Sequence, residues 1–238
     1  MSVPPTQVVT FDLFSALVDS RRGGSAAFAS LGEGRGWAVA AVEVYDAWDR
    51  HNKAAHRAVS GWLPFAQLAA HALAEAYATL DLDGDPVRDI DSVLATVGHW
   101  PLWPDVAAEM PVLAERYRIG LLSNVDDTLF AQTRAAPYVD PELAMTSERL
   151  GVYKPNPGIY LGADAAVGPI VHVAASARDV RGALEAGIPT VRLIRPGHHL
   201  DPEGPRPPYE VSSTAELPPC IDQAARDRTC RDPGHRGA

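Results

Sequence analysis

The chain has 238 residues, enough for one large domain or two modest ones with a real core, and its 46% hydrophobic and 21% charged residues are those of an ordinary globular protein. A net charge of −9 without any clustered stripe of Lys and Arg argues against a nucleic-acid partner. No apolar run approaches a membrane span, and MSVPPTQ has neither the basic start nor the apolar stretch of a secretory signal, so no membrane partner is expected and the expected compartment is the cytoplasm. Cys220 and Cys230 both lie in the polar tail and cannot frame a fold; two unpaired thiols are expected there.

In chain order, QVVTF (7–11) reads as a strand ending on a lone carboxylate, Asp12. The interval from about 24 to 99 carries helical periodicity without a strand. WAVAAVEVYDAWDRHNKAAHRAV places Val42, Tyr45, Trp48, Asn52 and Ala55 on one stripe, LPFAQLAAHALAEAYATL opens with Pro64, and a third helix is predicted from Pro86 to about Val97. The glycines of RRGG and GEGRG lack the strand-to-helix setting of a nucleotide loop and read as flexible linkers.

Helix DVAAEMPVLAERY then precedes strand RIGLLS (118–123), NPGIYLGADAAV precedes PIVHVAA (169–175), and RDVRGALEAG precedes PTVRLI (189–194). Strand and helix alternating at this spacing predict an α/β fold, a doubly wound, Rossmann-like parallel sheet with helices on both faces and an inserted all-helical cap. The expected division is a core of 1–20 and 100–200, a cap of 21–99, and a Pro-rich extension of 201–238 in which YEVSS adds a short strand and residues after about Ala224 are disordered.

Four pieces fall at carboxyl ends of predicted strands: Asp12, then Ser123 and Asn124, then Lys154 in GVYKPNPGIY, then Asp179. In open α/β sheets that end is where ligands bind. In this order, with a helical insert after the first, the pattern resembles the haloacid dehalogenase (HAD) superfamily over residues 7 to 195. The phosphatase branch carries a second aspartate two positions after the first, as acid for the leaving oxygen, where this chain has Phe14. It also carries a metal-binding aspartate in its last motif, where the frame here reads Ala174, Ala175, Ser176, Ala177, Arg178, Asp179.

Attack on a phosphate monoester needs a metal to neutralise charge and an acid for the alkoxide, and losing the acid alone costs roughly 10²–10⁴-fold. A halide leaves carbon as a stable anion and needs neither. The resemblance is therefore closest to the 2-haloacid dehalogenase branch, which has Tyr where Phe14 stands and a tyrosine six positions after the lysine, here Tyr160.

That resemblance implies the following roles. Asp12 attacks C2 of a small acidic substrate, Lys154 keeps Asp12 ionised, Ser123 binds the substrate carboxylate, and Asn124 positions it or cradles the halide. Asp179 holds Lys154 and helps activate the hydrolytic water, with Tyr160 packed at that water site. Phe14, Ser15 and Ser176 complete the pocket, and Arg50 of the cap is the expected anion ligand, although Asp49 separates it from Trp48 where the branch has Trp-Arg.

The branch has Gly-Thr where Ser15 and Ala16 stand, and hydroxyls where Ala174 and Ala175 stand. No metal or other cofactor is expected. A Mg²⁺-dependent phosphatase, rescued by Asp179 or Asp126, and a member with refitted or lost catalysis that binds a small acid or a protein remain the alternatives. Asp126 and Asp127 otherwise read as first-turn acids of a helix, His172 as buried structure, and Trp62 and Phe65 as either cap core or a homodimer contact.

Overall fold

The computed structural model describes residues 6–231. Its centre is strand β1 (Val8–Phe11), a β-branched and aromatic run buried on both faces, as a strand with neighbours above and below must be. A single π-helical turn, Leu13–Leu17, follows Asp12 directly. Four helices come next: α1 (Ser20–Arg35), α2 (Ala41–Ala58), α3 (Phe65–Leu80) and α4 (Pro86–Leu94). They pack on one another in succession and form the cap.

After the cap, α5 (Val106–Ala114) leads into β2 (Arg118–Ser123), α6 (Asp127–Ala131), β3 (Ala144–Thr146) and α7 (Ser147–Leu150). Then come α8 (Pro157–Val167), β4 (Ile170–Ala174), α9 (Ala177–Glu185), β5 (Thr190–Leu193), β6 (Tyr209–Val211) and α10 (Leu217–Arg231). The six strands form one parallel sheet in the order β3-β2-β1-β4-β5-β6, with Phe11 in register with Leu121 on one side and Val173 on the other. The connections run one way from β1 to β3 and the other way from β4 to β6, so the order reverses at β1. The carboxyl ends of β1, β2 and β4 frame the crevice that such a reversal opens.

The two faces of the sheet hold separate cores. Val9, Phe11, Leu121, Val173 and Val191 pack with Met110 and Leu113 of α5 and Leu217 and Ile221 of α10, and this core continues into the cap. Val8, Leu122 and Ile170 point the other way, onto Ile159 and Tyr160 of α8 and Ala183 of α9. The doubly wound expectation is met.

Three elements differ from the sequence reading. RRGG and GEGRG are not linkers but part of α1, which Asp19 caps by accepting from the Arg22 backbone N–H and Gly36 ends in the left-handed region at φ +69°. Gly23 and Gly24 are used for close approach: a Cβ at Gly23 would lie 2.4 Å from Trp100 Cγ, and one at Gly24 would lie 2.4 Å from Tyr45 Cε2. The chain beyond Ala224 continues as helix α10 to Arg231, because Leu217, Ile221 and Ala224 bury a stripe against the sheet; residues 232–238 lie outside the described residues. β3, only three residues long, had no periodicity to read and is held by register with Leu121–Ser123. YEVSS does supply the edge strand β6, and no helix among the described residues is long and apolar enough to cross a membrane.

The cap is entered and left through a paired neck. Val18 bridges Leu102 in antiparallel fashion, Asp19 N donates to Pro101 O at 2.9 Å, and Trp103 N donates to Leu17 O at 3.0 Å. On the far side Asp126, expected as a first-turn acid, instead accepts the Phe65 backbone N–H through both carboxylate oxygens, at 2.9 and 3.1 Å. It ties the core to the start of α3, and burial raises its pKa.

Candidate active site

The end of β1 is fixed by the sheet: Asp12 N donates to Val173 O at 3.0 Å, so the carboxylate emerges where β1 and β4 stop. The π-helical turn then folds back and brings the Ser15 hydroxyl onto Asp12 Oδ2 at 2.5 Å. From the end of β2, Ser123 Oγ donates to Asp12 Oδ1 at 3.2 Å. Lys154 Nζ reaches the same oxygen at 3.1 Å and Asp179 Oδ2 at 2.6 Å, so one buried ammonium bridges two carboxylates.

Lys154 is itself held by Asn124, whose Oδ1 accepts the Lys154 N–H at 2.7 Å while its Nδ2 donates to the Lys154 carbonyl at 3.2 Å. Asn124 therefore lines the cavity and also clamps the lysine backbone, a contact the sequence did not show.

Asp179, in the first turn of α9, accepts from Lys154, from Tyr160 Oη at 2.9 Å and from His172 Nε2 at 3.2 Å. Burial works against its charge, but Lys154 and His172 outweigh that cost and hold its pKa well below the ordinary 3.8. On the other edge of the ring His172 Nδ1 lies 3.0 Å from the Thr10 hydroxyl, so both ring nitrogens are engaged. His172 is thus buried, as expected, and in addition touches the site; its position opposite α9 on β4 was not a signal a linear pattern could carry.

Phe14 packs between Phe65 of the cap and Trp100, at ring-centroid distances of 6.1 and 5.9 Å. With Trp48, Tyr45 and Trp103 they make the apolar walls of a cavity of about 890 Å³ that opens on Asp12 and is roofed by the cap. Ser15, Ser123 and Ser176 line it, Ser176 from the cap position of α9 without bonding to that helix's backbone. Two expected substrate ligands do not line it. Tyr160 is fully buried behind Asp179, where burial and the neighbouring carboxylate keep its phenol protonated. Arg50 is exposed: the inward face of α2 is Trp48, Asp49, Asn52, Lys53 and His56, and the next position after Asp49 is turned by about 100° to solvent.

The donor set does not fit Mg²⁺, which wants oxygen ligands in octahedral array. Lys154 Nζ stands between Asp12 and Asp179, Asp126 is spent on Phe65, and position 175 is alanine. Among the described residues no three of His, Cys, Asp and Glu gather to hold an ion.

A parallel sheet reversing at β1, a carboxylate at that strand's end, a lysine reaching it from beyond the second strand and a helical insert after the first are together the plan of one fold, and solved structures match it over nearly the whole chain. The L-2-haloacid dehalogenase of Xanthobacter autotrophicus superposes with a TM-score of 0.75 at 20% identity, covering 91% of this chain and 98% of that one. The fold is that of the haloacid dehalogenase (HAD) superfamily.

Sequence similarity within the HAD proteins extends to a curated relative, (S)-2-haloacid dehalogenase 4A of Burkholderia cepacia, 29% identical over 164 residues that span 66% of this chain and 71% of that protein. A putative HAD-hydrolase of Bacillus subtilis, solved with magnesium, matches equally well in shape, with a TM-score of 0.75 at 14% identity over 92% of this chain and 99% of that one. The HAD fold alone therefore does not choose between chemistries; the side chains must. No family model matches the chain.

Proposed function

We propose that this chain is a hydrolase that displaces halide from C2 of a 2-haloacid through a covalent ester on Asp12, without a metal. The observation that carries the reading is the setting of Asp12: a carboxylate facing a cavity, bridged through Lys154 to Asp179, with Phe14 wedged between Phe65 and Trp100 where a phosphatase needs an acid. Similarity to the Burkholderia enzyme supports it.

In the first step Asp12 attacks C2, a C–O bond forms as the carbon–halogen bond breaks, and the halide leaves with its electron pair. Oδ2, which accepts only the Ser15 hydroxyl, is the oxygen with lone pairs to spare; Oδ1 is occupied by Lys154 and Ser123. Apolar walls desolvate the nucleophile and strengthen it. In the second step water attacks the ester carbonyl carbon of Asp12, its proton passes to Asp179 and on to the C2 oxygen as the ester C–O bond breaks, and the 2-hydroxyacid leaves while the acid formed on Asp12 gives its proton to water and returns to carboxylate. Tyr160 and His172 hold Asp179 in place for that transfer.

The test is halide release from 2-chloropropionate and 2-bromoacetate in EDTA, with Asp12→Ala as control. Release that needs Asp12 and ignores EDTA supports the reading; a requirement for added Mg²⁺, or release unaffected by Asp12→Ala, overturns it.

A further inference from the structure

A 2-haloacid brings a carboxylate into this cavity, and the donors first expected to receive it are engaged elsewhere. Ser123 and Ser15 give their protons to Asp12, Asn124 clamps the Lys154 backbone, Lys154 lies between two aspartates, and Arg50 faces solvent. Of the other cations on the cavity wall, Arg21 is paired with Asp46 and Lys53 with Asp49, while Arg22 is exposed.

Arg178 is different. It stands in the first turn of α9 beside Asp179, half-buried, and its Nη1 donates to the carbonyl of Lys53 on the cap at 2.8 Å. Among the described residues no carboxylate oxygen lies within 4.0 Å of its guanidinium, and the other guanidinium nitrogens make no hydrogen bond to protein. Burial lowers its pKa in spite of the more distant Asp179, Asp49 and Asp12, so the guanidinium is a half-buried cation with no carboxylate in contact.

Asn52 and His56 line the same cavity from α2, one helical turn apart and 6% and 4% exposed. Both ring nitrogens of His56 are buried without a partner, and so is Asn52 Oδ1, which as an acceptor leaves the amide Nδ2 as the group of Asn52 that can meet an anion. His56 stacks on Tyr153 at 4.5 Å, which fixes its ring plane. Burial, reinforced by Arg178, pushes its pKa down to about 3, so it is neutral and offers one N–H as donor.

We infer that Arg178, with Asn52 and His56 on the wall of the same cavity, is an anion seat that receives the substrate's carboxylate, taking over from the core side the task expected of a cap arginine. The inference rests on the reading of Asp12 as nucleophile only for the word substrate; the seat itself is a statement about binding. A carboxylate held there spans the cap and the core, because Arg178 belongs to α9 and the other two residues to α2. Asn52 was visible in the sequence as a polar residue on an otherwise apolar helical stripe; His56 and Arg178 gave no such sign.

The experiment is calorimetric titration with lactate and propionate, which carry the carboxylate but no halogen, and with propionamide, its neutral counterpart. Wild type is expected to bind the acids and not the amide. Arg178→Met is expected to weaken acid binding between about 10-fold and about 100-fold, the range for a charge-assisted hydrogen bond at ~1.5–3 kcal/mol. Arg178→Lys, which keeps the charge without the fork, and Asn52→Ala, read alongside circular dichroism, should each give a smaller loss and serve if the methionine variant does not fold. Equal affinity of Arg178→Met and wild type for lactate overturns the seat, as does wild type that binds the amide as well as the acid or binds no acid at all. Acid binding that depends on Arg178 in a protein releasing no halide would keep the seat and discard the dehalogenase reading.

Discussion

Two glycines in the same helix are expected to respond to alanine with opposite signs. On helix propensity alone, Gly→Ala inside α1 gains about 0.8–1 kcal/mol. At Gly34 a new Cβ would meet nothing within 4 Å, so that gain should appear in full, as a rise in Tm of about 2–4 °C for a chain of this size. At Gly23 it would lie 2.4 Å from Trp100 Cγ and 2.6 Å from its Cβ. Those atoms are the root of a buried indole whose Nε1 is bonded to Thr96 Oγ1 at 2.9 Å and whose ring backs Phe14, so they cannot swing aside. Overpacking of this kind costs about 1–3 kcal/mol, and with the upper end expected here the net loss is about 2 kcal/mol, or ~4–8 °C in Tm. Differential scanning calorimetry of the two variants reads both signs. Gly23→Ala as stable as Gly34→Ala would refute the close approach of α1 to Trp100, and with it the explanation of why RRGG lies in a helix.

On the proposed mechanism Asp179→Asn should lower turnover at least a hundredfold while raising KM little, measured by halide release, because Lys154 keeps one carboxylate partner and the proposed proton acceptor is gone. Arg195 donates to Ala16 O, Asp105 and Thr214 and packs on Trp103, so Arg195→Met, which leaves the half-buried Asp105 with only its two bonds from Thr214, should cost about 1–3 kcal/mol in urea denaturation. For pH, Asp179 and Asp105 both have folded-state pKa values below the ordinary 3.8, so the stability they contribute is complete above that value and is lost as pH falls beneath it; acid unfolding followed by fluorescence should therefore begin below about pH 4, and Asp105→Asn should flatten the pH dependence while lowering stability at neutral pH. A cavity of about 890 Å³ lies near the top of the usual ~300–1,000 Å³ for small-molecule sites, so 2-bromohexanoate should be turned over at least as well as 2-chloropropionate, and rejection of the longer acid in a steady-state comparison would show the cap closing much further down.

The parallel core was legible because each long strand is a short apolar run next to a helix-period segment, and the reactive cluster because its members sit where those runs end. Asp12, Ser123 and Asp179 needed no knowledge of contacts, only of strand ends, whereas Lys154 follows α7 and was reached through the order of motifs. What the linear pattern missed depends on approach across the fold. Gly23 and Gly24 read as flexible because a sequence does not display Trp100 and Tyr45 pressing on them. Arg50 looked suited by proximity to Trp48, yet helical rotation turns it away and leaves the inward positions to Asn52 and His56. The stretch after about Ala224 read as disordered from its Pro, Gly and charge, although the helix begun by the buried stripe of Leu217, Ile221 and Ala224 runs on to Arg231. β3 owes its existence to β2 beside it.

The paired neck bears on how the chain assembles. Val8 leaves the ribosome long before Arg118 and Ile170, the residues it must pair with, so the central strand has no partner while the cap is being made. Closing so long a loop costs entropy that grows with its length. Helices α1 to α4 lie wholly inside that interval and contact one another in succession, and once folded they leave their two ends at the Val18–Leu102 bridge. The first strand then has only a short tether to the second. A substitution that loosens the cap helices should accordingly slow formation of the sheet even where it removes no contact the sheet makes.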